Sequence, residues 1–441
     1  MSLLDTTFQL KARGTNVRTE LLAGLTTFLT MAYIILVNPA ILGQTGMPPA
    51  AVAAATCLAA GVGCILMGMV ANYPIALAPG MGLNAYFTFT VVKTMGVPWQ
   101  TALGLVFISG VLFLILTFAG VRKLIVNAIP RALFSAIAAG IGLFIAFIGL
   151  KGAGIVTANP GTTVGLGDLH NPNAMLALLG LAIIAVLEVW KVRGGILIGI
   201  VITSVIGWGL HLAQWTPQTY SVAQMTATAF QLDIPAAFGI GGKGLGLALV
   251  EILFVFVFVD LFDNVGTLVA VSTKAGLVQP DGTIPRLNRI LFADATATVV
   301  GSLAGTSTVV SYIESASGVS AGGRTGLTAV VTGLLFLAAL FVAPWAQAIP
   351  AAATAPALIL VGSMMMAPLA DIEWKDPVVA IPAFLTLIAI PLTFSIANGL
   401  AFGVIACAIL KIAGRRIGRE DWLLLVLAVL FVARFAYMAA A

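Results

Sequence analysis

Apolar runs of about 20 residues, each long enough to cross a bilayer, follow one another along almost the whole chain, and two of them are broken by glycine and proline. Continuous runs lie near 20–42, 49–71, 99–119, 130–150, 174–190, 194–214, 245–273, 288–304, 325–343, 350–369, 376–391 and 395–413. The broken ones are 76–93, interrupted at Ala78-Pro79-Gly80-Met81-Gly82, and 305–322, opened by Gly305-Thr306-Ser307 and closed by Gly318 and Gly322. Short, interrupted segments at matching places in two halves mark a binding site near the membrane midplane of a carrier. Counting both predicts fourteen crossings in an all-α polytopic membrane protein. The composition agrees: 60% of residues are hydrophobic, only 8% are charged, and mean hydropathy is +1.11, far outside the range of a soluble domain.

The two halves correspond. Ile129-Pro130 opens the fifth run and Ile349-Pro350 the twelfth, while Arg193-Gly-Gly-Ile-Leu-Ile-Gly opens the seventh and Ala397-Asn-Gly-Leu-Ala-Phe-Gly the fourteenth. Seven crossings per half is odd, so the second half runs with opposite orientation, which makes a 7+7 inverted repeat. With the N-terminus in the cytoplasm, seventeen of the 21 Lys and Arg residues fall inside; Lys93, Lys151 and Lys243 fall outside and Arg434 in the tail. That bias is the positive-inside rule. Residues 1–19 carry Lys11, Arg13 and Arg18 ahead of a full-length run, so a cleavable signal peptide is not expected. Residues 421–440 could form a fifteenth span, but Arg434 and the length fit a helix lying at the inner interface about as well, and the interface is the expectation. Cys57, Cys64 and Cys407 sit apart in apolar segments, and His170 and His211 are isolated. Neither a disulfide framework nor a metal centre is expected.

Charge inside the apolar runs locates the candidate chemistry. Asp260 and Asp263 stand in Phe254-Val-Phe-Val-Phe-Val-Asp-Leu-Phe-Asp-Asn-Val-Gly-Thr267, with Thr267 four residues beyond Asp263 on the same helical stripe. A carboxylate at the middle of a spanning helix costs roughly 2.5 to 3.5 kcal/mol, so it faces a cavity, a partner or a substrate. Glu314 is placed at the start of the half-helix in the second broken segment, three residues after Ser311, and Asn84 occupies the mirror position in the first. Half-helices meeting head to head would point their positive ends into one cavity with Asp260, Asp263 and Glu314 around it. Carboxylates accept N–H bonds, Asn84 both donates and accepts, and Phe87, Phe89, Phe262 or Tyr312 offer rings for stacking. The expected ligand is neutral, flat and rich in N–H donors. Three carboxylates repel an inorganic anion, and the further ligands a metal needs are missing. Carboxylates crowded into a dry site also bind protons, so proton symport is expected. Each residue has a plainer role too: Asp294 reads equally well as a structural acid bonded to Arg289 or a helix end, Asn84 as interhelical glue, and the aromatics as core or lipid-facing packing.

Ala23-Gly-Leu-Thr-Thr-Phe-Leu-Thr-Met-Ala-Tyr-Ile-Ile-Leu-Val-Asn-Pro-Ala, Pro79-Gly-Met-Gly-Leu-Asn-Ala-Tyr-Phe, Asp260-Leu-Phe-Asp-Asn-Val-Gly-Thr-Leu and Tyr312-Ile-Glu-Ser together resemble the nucleobase–cation symporter-2 (nucleobase/ascorbate transporter) family, in its purine permease branch. The resemblance spans essentially the whole chain. It implies a core domain (20–119 and 245–343, segments 1–4 and 8–11) and a gate domain (130–214 and 350–413, segments 5–7 and 12–14). Segments 3 and 10 would each be a short strand plus a half-helix, between a cytoplasmic N-terminus (1–19) and an interfacial C-terminal helix (414–441). It further implies a homodimer in the cytoplasmic membrane, both termini cytoplasmic, importing guanine or hypoxanthine, with adenine in range, by alternating access. The proton would be the only coupling ion, and no cofactor or nucleic acid is implied. By similarity Asp263 and Glu314 match the family's base-contacting carboxylates. Thr267 lies one turn on, Asn84 belongs to the third-segment motif, and Asp260 is an extra acid of the purine branch. Substrate contacts are therefore expected at Asp260, Asp263, Thr267, Glu314, Asn84, Phe87, Phe262 and Ser311, with proton coupling at Asp263, Glu314 and Asp260. Rival readings are a uracil or xanthine carrier, or an anion carrier or channel of the same architecture. An enzyme is not expected, since no nucleophile–base pair or phosphate loop is visible.

Overall fold

The computed structural model describes residues 3–118, 130–213, 221–239, 246–279, 283–418 and 421–440. Arg122, Lys123, Ile129, Lys243 and Arg419, used in the topology argument, lie outside the described residues, as does the side chain of Phe262. In chain order the main elements are α1 (Val17–Met31), α2 (Ile34–Leu42), α3 (Pro49–Leu66), β1 (Leu77–Pro79), α4 (Met81–Ala85) and α5 (Trp99–Phe118). Next come α6 (Arg131–Gly152), the hairpin β2 (Val156–Asn159) and β3 (Thr163–Leu166), α7 (Pro172–Val189), α8 (Gly195–Gly209) and α9 (Gly246–Lys274). They are followed by α10 (Leu287–Ala304), β4 (Val309–Ser311), α11 (Ser315–Ser320), α12 (Gly326–Ala338), α13 (Ala351–Met364), α14 (Pro377–Thr393), α15 (Ile396–Ala413) and α16 (Trp422–Ala440). Among the described residues nine helical spans are long and apolar enough to cross a membrane, and α8 and α14 are shorter apolar helices. With α10, which carries Arg289 and Asp294, and the two broken segments, they follow the order the sequence predicts.

Contacts sort the chain into two compact units, one formed by residues 1–118 and 152–357 and the other by 119–151 and 358–441. The first unit contains both broken segments. Strands β1 and β4 pair antiparallel, Leu77 opposite Ser311 and Pro79 opposite Val309. The ladder is lengthened by Gly80 N donating to Thr308 O at 2.9 Å and Tyr312 N to Ala76 O at 3.0 Å. Pro79, which lacks an N–H, sits at the strand end where none is needed. Both strands are buried, the condition under which extended backbone is tolerated at membrane depth.

The first apolar run differs from the continuous helix expected over 20–42, because it breaks at Ala32–Tyr33 between α1 and α2. Just before the break, Thr26, Thr27 and Thr30 donate their hydroxyls back to the carbonyls of Leu22, Ala23 and Thr26 at 2.8–3.1 Å. Such back-bonds compete with the helical ladder and bend it.

Glu20, at the first turn of α1, is fully buried. Its Oε1 accepts from Arg324 N at 2.9 Å, and its Oε2 from Thr328 N at 3.2 Å and Thr328 Oγ1 at 2.6 Å. These donors include free N–H groups at the N-terminus of α12, where negative charge is stabilised by the helix dipole. Glu20→Ala strands them in a dry interior, so a loss of about 2–3 kcal/mol is expected, read as a lower Tm of the detergent-extracted protein. Glu20→Gln, which keeps the shape and an acceptor, is expected to lose less. Nearby, Phe8 and Leu10 pack on Leu327, and Arg13 donates to the carbonyls of Asn72 at 2.9 Å and Arg324 at 3.0 Å.

The second unit is built on α14 against α15, with α16 packed on α15. Asp376 caps α14 by accepting from Val378 N and pairs with Arg416. Lys411 Nζ meets Asp421 Oδ1 at 2.6 Å, and Arg434 donates to Asn398 Oδ1 at 3.0 Å.

Candidate functional site

The paired strands bring the ends of both broken segments against α9, the helix that carries the acidic motif. Glu314 lies three residues beyond the end of β4 and stands at the N-terminal boundary of α11. Its carboxylate accepts a 2.6 Å hydrogen bond from the hydroxyl of Tyr33, a short, charge-assisted bond. Tyr33 occupies the break between α1 and α2, so the bend described above is what turns its hydroxyl to Glu314. Tyr312 donates its own hydroxyl to Pro79 O at 2.5 Å, locking β4 to the start of the opposite half-helix. Asp263 lies within electrostatic reach of both Glu314 and Tyr312, and Asp263, Thr267 and Glu314 are each partly exposed. Asp263 and Thr267 share one stripe of α9, and Glu314 stands within reach of Asp263.

Ser311 joins them. Its hydroxyl is buried and has no hydrogen-bond partner among the described residues, whereas a buried polar group is normally paired. A ligand between α9 and the second broken segment would find there a hydroxyl able to donate or accept.

The other expected residues are placed differently. Asp260 is buried, and its Oδ1 accepts from Asn264 Nδ2 at 2.8 Å. The same nitrogen donates to Asp294 Oδ2 at 2.7 Å, so Asp294 is bonded to an amide on α9. Asn84 is fully buried; it donates to Asn38 Oδ1 at 2.7 Å and accepts from the Ser307 hydroxyl. Asn38 in turn donates to Thr56 Oγ1 at 2.8 Å and Thr306 Oγ1 at 2.9 Å. This satisfied network holds α2, α3, α4 and the loop before β4 together. Phe87 is fully buried in the wide helical turns Tyr86–Thr94, while Phe89 lies under the Lys93 ammonium at 5.4 Å.

Sequence reasoning missed Tyr33, Asn38 and Asn264. Each is polar within an apolar run, as Asp263 is, but lacks the charge that singled the acids out. Among the described residues no group of His, Cys, Asp and Glu could hold a metal ion.

Comparison with known proteins bears on what this face does. The family model described as Permease family (Xan_ur_permease) matches residues 18–402. A permease-type protein of Methanocaldococcus jannaschii is 51% identical over 439 residues, covering 99% of each chain. The adenine permease AdeP of Escherichia coli is 43% identical, covering 99% of this chain and 96% of its own. The guanine/hypoxanthine permease PbuG of Bacillus subtilis is 44% identical, covering 99% and 100%. The transmembrane domain of the cyanobacterial bicarbonate transporter BicA superposes with a TM-score of 0.61 at 17% identity, over 90% of this chain and 97% of that one. That likeness concerns the fold, a 7+7 inverted repeat of core and gate parts. The chain belongs to the permease family, within the nucleobase/ascorbate transporters, and is a multi-pass membrane carrier rather than an enzyme.

Proposed function

We propose that the chain imports purine bases across the cytoplasmic membrane together with a proton, guanine and hypoxanthine first and adenine in range. The observation that carries this reading is that Asp263 and Glu314 stand within electrostatic reach of each other and are both partly exposed, while on β4 the buried Ser311 hydroxyl has no hydrogen-bond partner among the described residues. Two acceptor carboxylates and a hydroxyl suit a flat ring edged with N–H groups, and the names of the relatives at 43–44% identity are of purine permeases. The same carboxylates, in a site shielded from bulk water, are the groups to carry the coupled proton. Asp260 enters this scheme as a proton-coupling neighbour and Thr267 as a contact one turn from Asp263. Asn84 and Phe87 shape the first broken segment, and Phe262 is kept as a stacking candidate.

Core and gate parts, as divided in the sequence reading, would move against each other to alternate access. The carrier would act as a homodimer with both termini cytoplasmic. The test is uptake of radiolabelled hypoxanthine in cells lacking purine permeases, with guanine, adenine, xanthine and uracil as competitors, and with or without a protonophore. Saturable uptake blocked by guanine and collapsed by the protonophore is expected. Competition by uracil or xanthine alone would reassign the substrate. No base uptake by protein shown to reach the membrane would sink the proposal and favour an anion carrier.

A further inference from the structure

Asn264 follows Asp263 on α9 and is fully buried. Its side chain uses both faces of the amide. The nitrogen donates to Asp260 Oδ1 at 2.8 Å and Asp294 Oδ2 at 2.7 Å, and the oxygen accepts from Ser311 N at 2.7 Å. Carboxylates only accept and a backbone N–H only donates, so one orientation of the amide satisfies the set. One side chain thereby joins α9, α10 and the last residue of β4. The opposite edge of β4 is already held by β1 through the Leu77–Ser311 pairing. Ser311 is three residues before Glu314, a reach of at most about 11 Å of extended chain, so fixing its N–H fixes where the Glu314 turn begins.

We infer that Asn264 is a positioning residue: by anchoring the free edge of β4 to α9 it sets the register between Asp263 and Glu314, and with it the affinity for the transported base. The two bonds to Asp260 and Asp294 keep the amide from rotating away from Ser311. Asp260 and Asp294 thus act on the substrate face through Asn264. The inference rests on the reading that Asp263 and Glu314 hold a purine.

The experiment measures hypoxanthine uptake kinetics, membrane level and Tm for wild type, Asn264→Ala, Asn264→Asp and the exchange variant Asn264→Asp/Asp294→Asn. Wild-type uptake must be present; its absence overturns the functional reading and leaves no purine register to set. Given wild-type uptake, Asn264→Ala is expected to raise KM about tenfold or more at a membrane level within twofold of wild type. Asn264→Asp places a third carboxylate beside the other two and is expected to lose uptake. The exchange variant restores an amide–carboxylate bond between α9 and α10 and an acceptor for Ser311 N, and is expected to recover KM to within about threefold. A KM in Asn264→Ala within twofold of wild type overturns the inference, as does a fall in Tm and maximal rate at unchanged KM. Should Asn264→Ala not reach the membrane, the exchange variant decides alone: a KM no better than that of Asn264→Asp, or no uptake, overturns it.

Discussion

Glu314→Gln is expected to cut purine uptake by two orders of magnitude or more while the protein still reaches the membrane. Glutamine has nearly the same shape, so the packing around α11 survives. What changes is the chemistry at the two oxygens. One of them accepts the Tyr33 hydroxyl at 2.6 Å; on the proposed reading the carboxylate also accepts from the base, and replacing an oxygen by an NH2 group turns that acceptor into a donor facing a donor. A hydrogen bond to a charged group contributes about 1.5–3 kcal/mol, and a donor left unsatisfied adds its desolvation cost; each 1.4 kcal/mol is tenfold. Tyr33→Phe removes only the hydroxyl that orients the carboxylate, and a hydrogen bond to a charged group contributes about 1.5–3 kcal/mol. A fall of roughly tenfold, seen mainly as a higher KM, is expected there. Initial-rate uptake normalised to membrane protein measures both. Uptake of the Glu314→Gln protein within twofold of wild type would remove Glu314 from the site.

Gly326→Val is expected to lower the amount of protein in the membrane at least tenfold. Gly326 opens α12 and faces Gly68 at the end of α3, and each glycine meets the other's backbone carbonyl where a Cβ would have to sit. Backbone cannot swing aside as a flexible side chain does, so the two segments must separate. Close backbone approach through small residues is how membrane helices gain packing where no hydrophobic force drives them together. Overpacking a well-filled contact typically costs about 1–3 kcal/mol, more when nothing can relax, and 1–2 kcal/mol already changes cellular abundance several-fold. Gly209→Ala, whose added methyl meets nothing within 4 Å, is the control and is expected to be neutral. Quantitative blotting of membranes, with the Tm of whatever is extracted, reads the difference. Equal levels of the Gly326→Val and Gly209→Ala proteins would show that this contact tolerates separation.

Apolar length, broken segments and intramembrane charge are properties of the chain itself, since the bilayer sets both the length of a span and the cost of a carboxylate within it. The repeat of spans, the breaks at Pro79-Gly80 and Gly305, and the acids set within apolar runs were legible for that reason. So was the family, whose motifs are local. What the chain alone did not disclose is where each polar side chain spends its hydrogen bonds. Asn84 and Asp260 read as site residues, and the structure adds that the first bonds Asn38 and Ser307 and the second Asn264. Tyr33 read as part of a continuous helix, yet a bend delivers its hydroxyl to Glu314. The partners of Tyr33 and Asn84 lie as far as 281 and 223 residues away, and no local pattern encodes a bond made across that distance. Composition and spacing decided that the chain crosses a membrane many times and carries acid within it; only the packing of α1, α9, α10 and the paired strands decided which groups those acids bond, Glu314 to Tyr33 and Asp260 and Asp294 to Asn264.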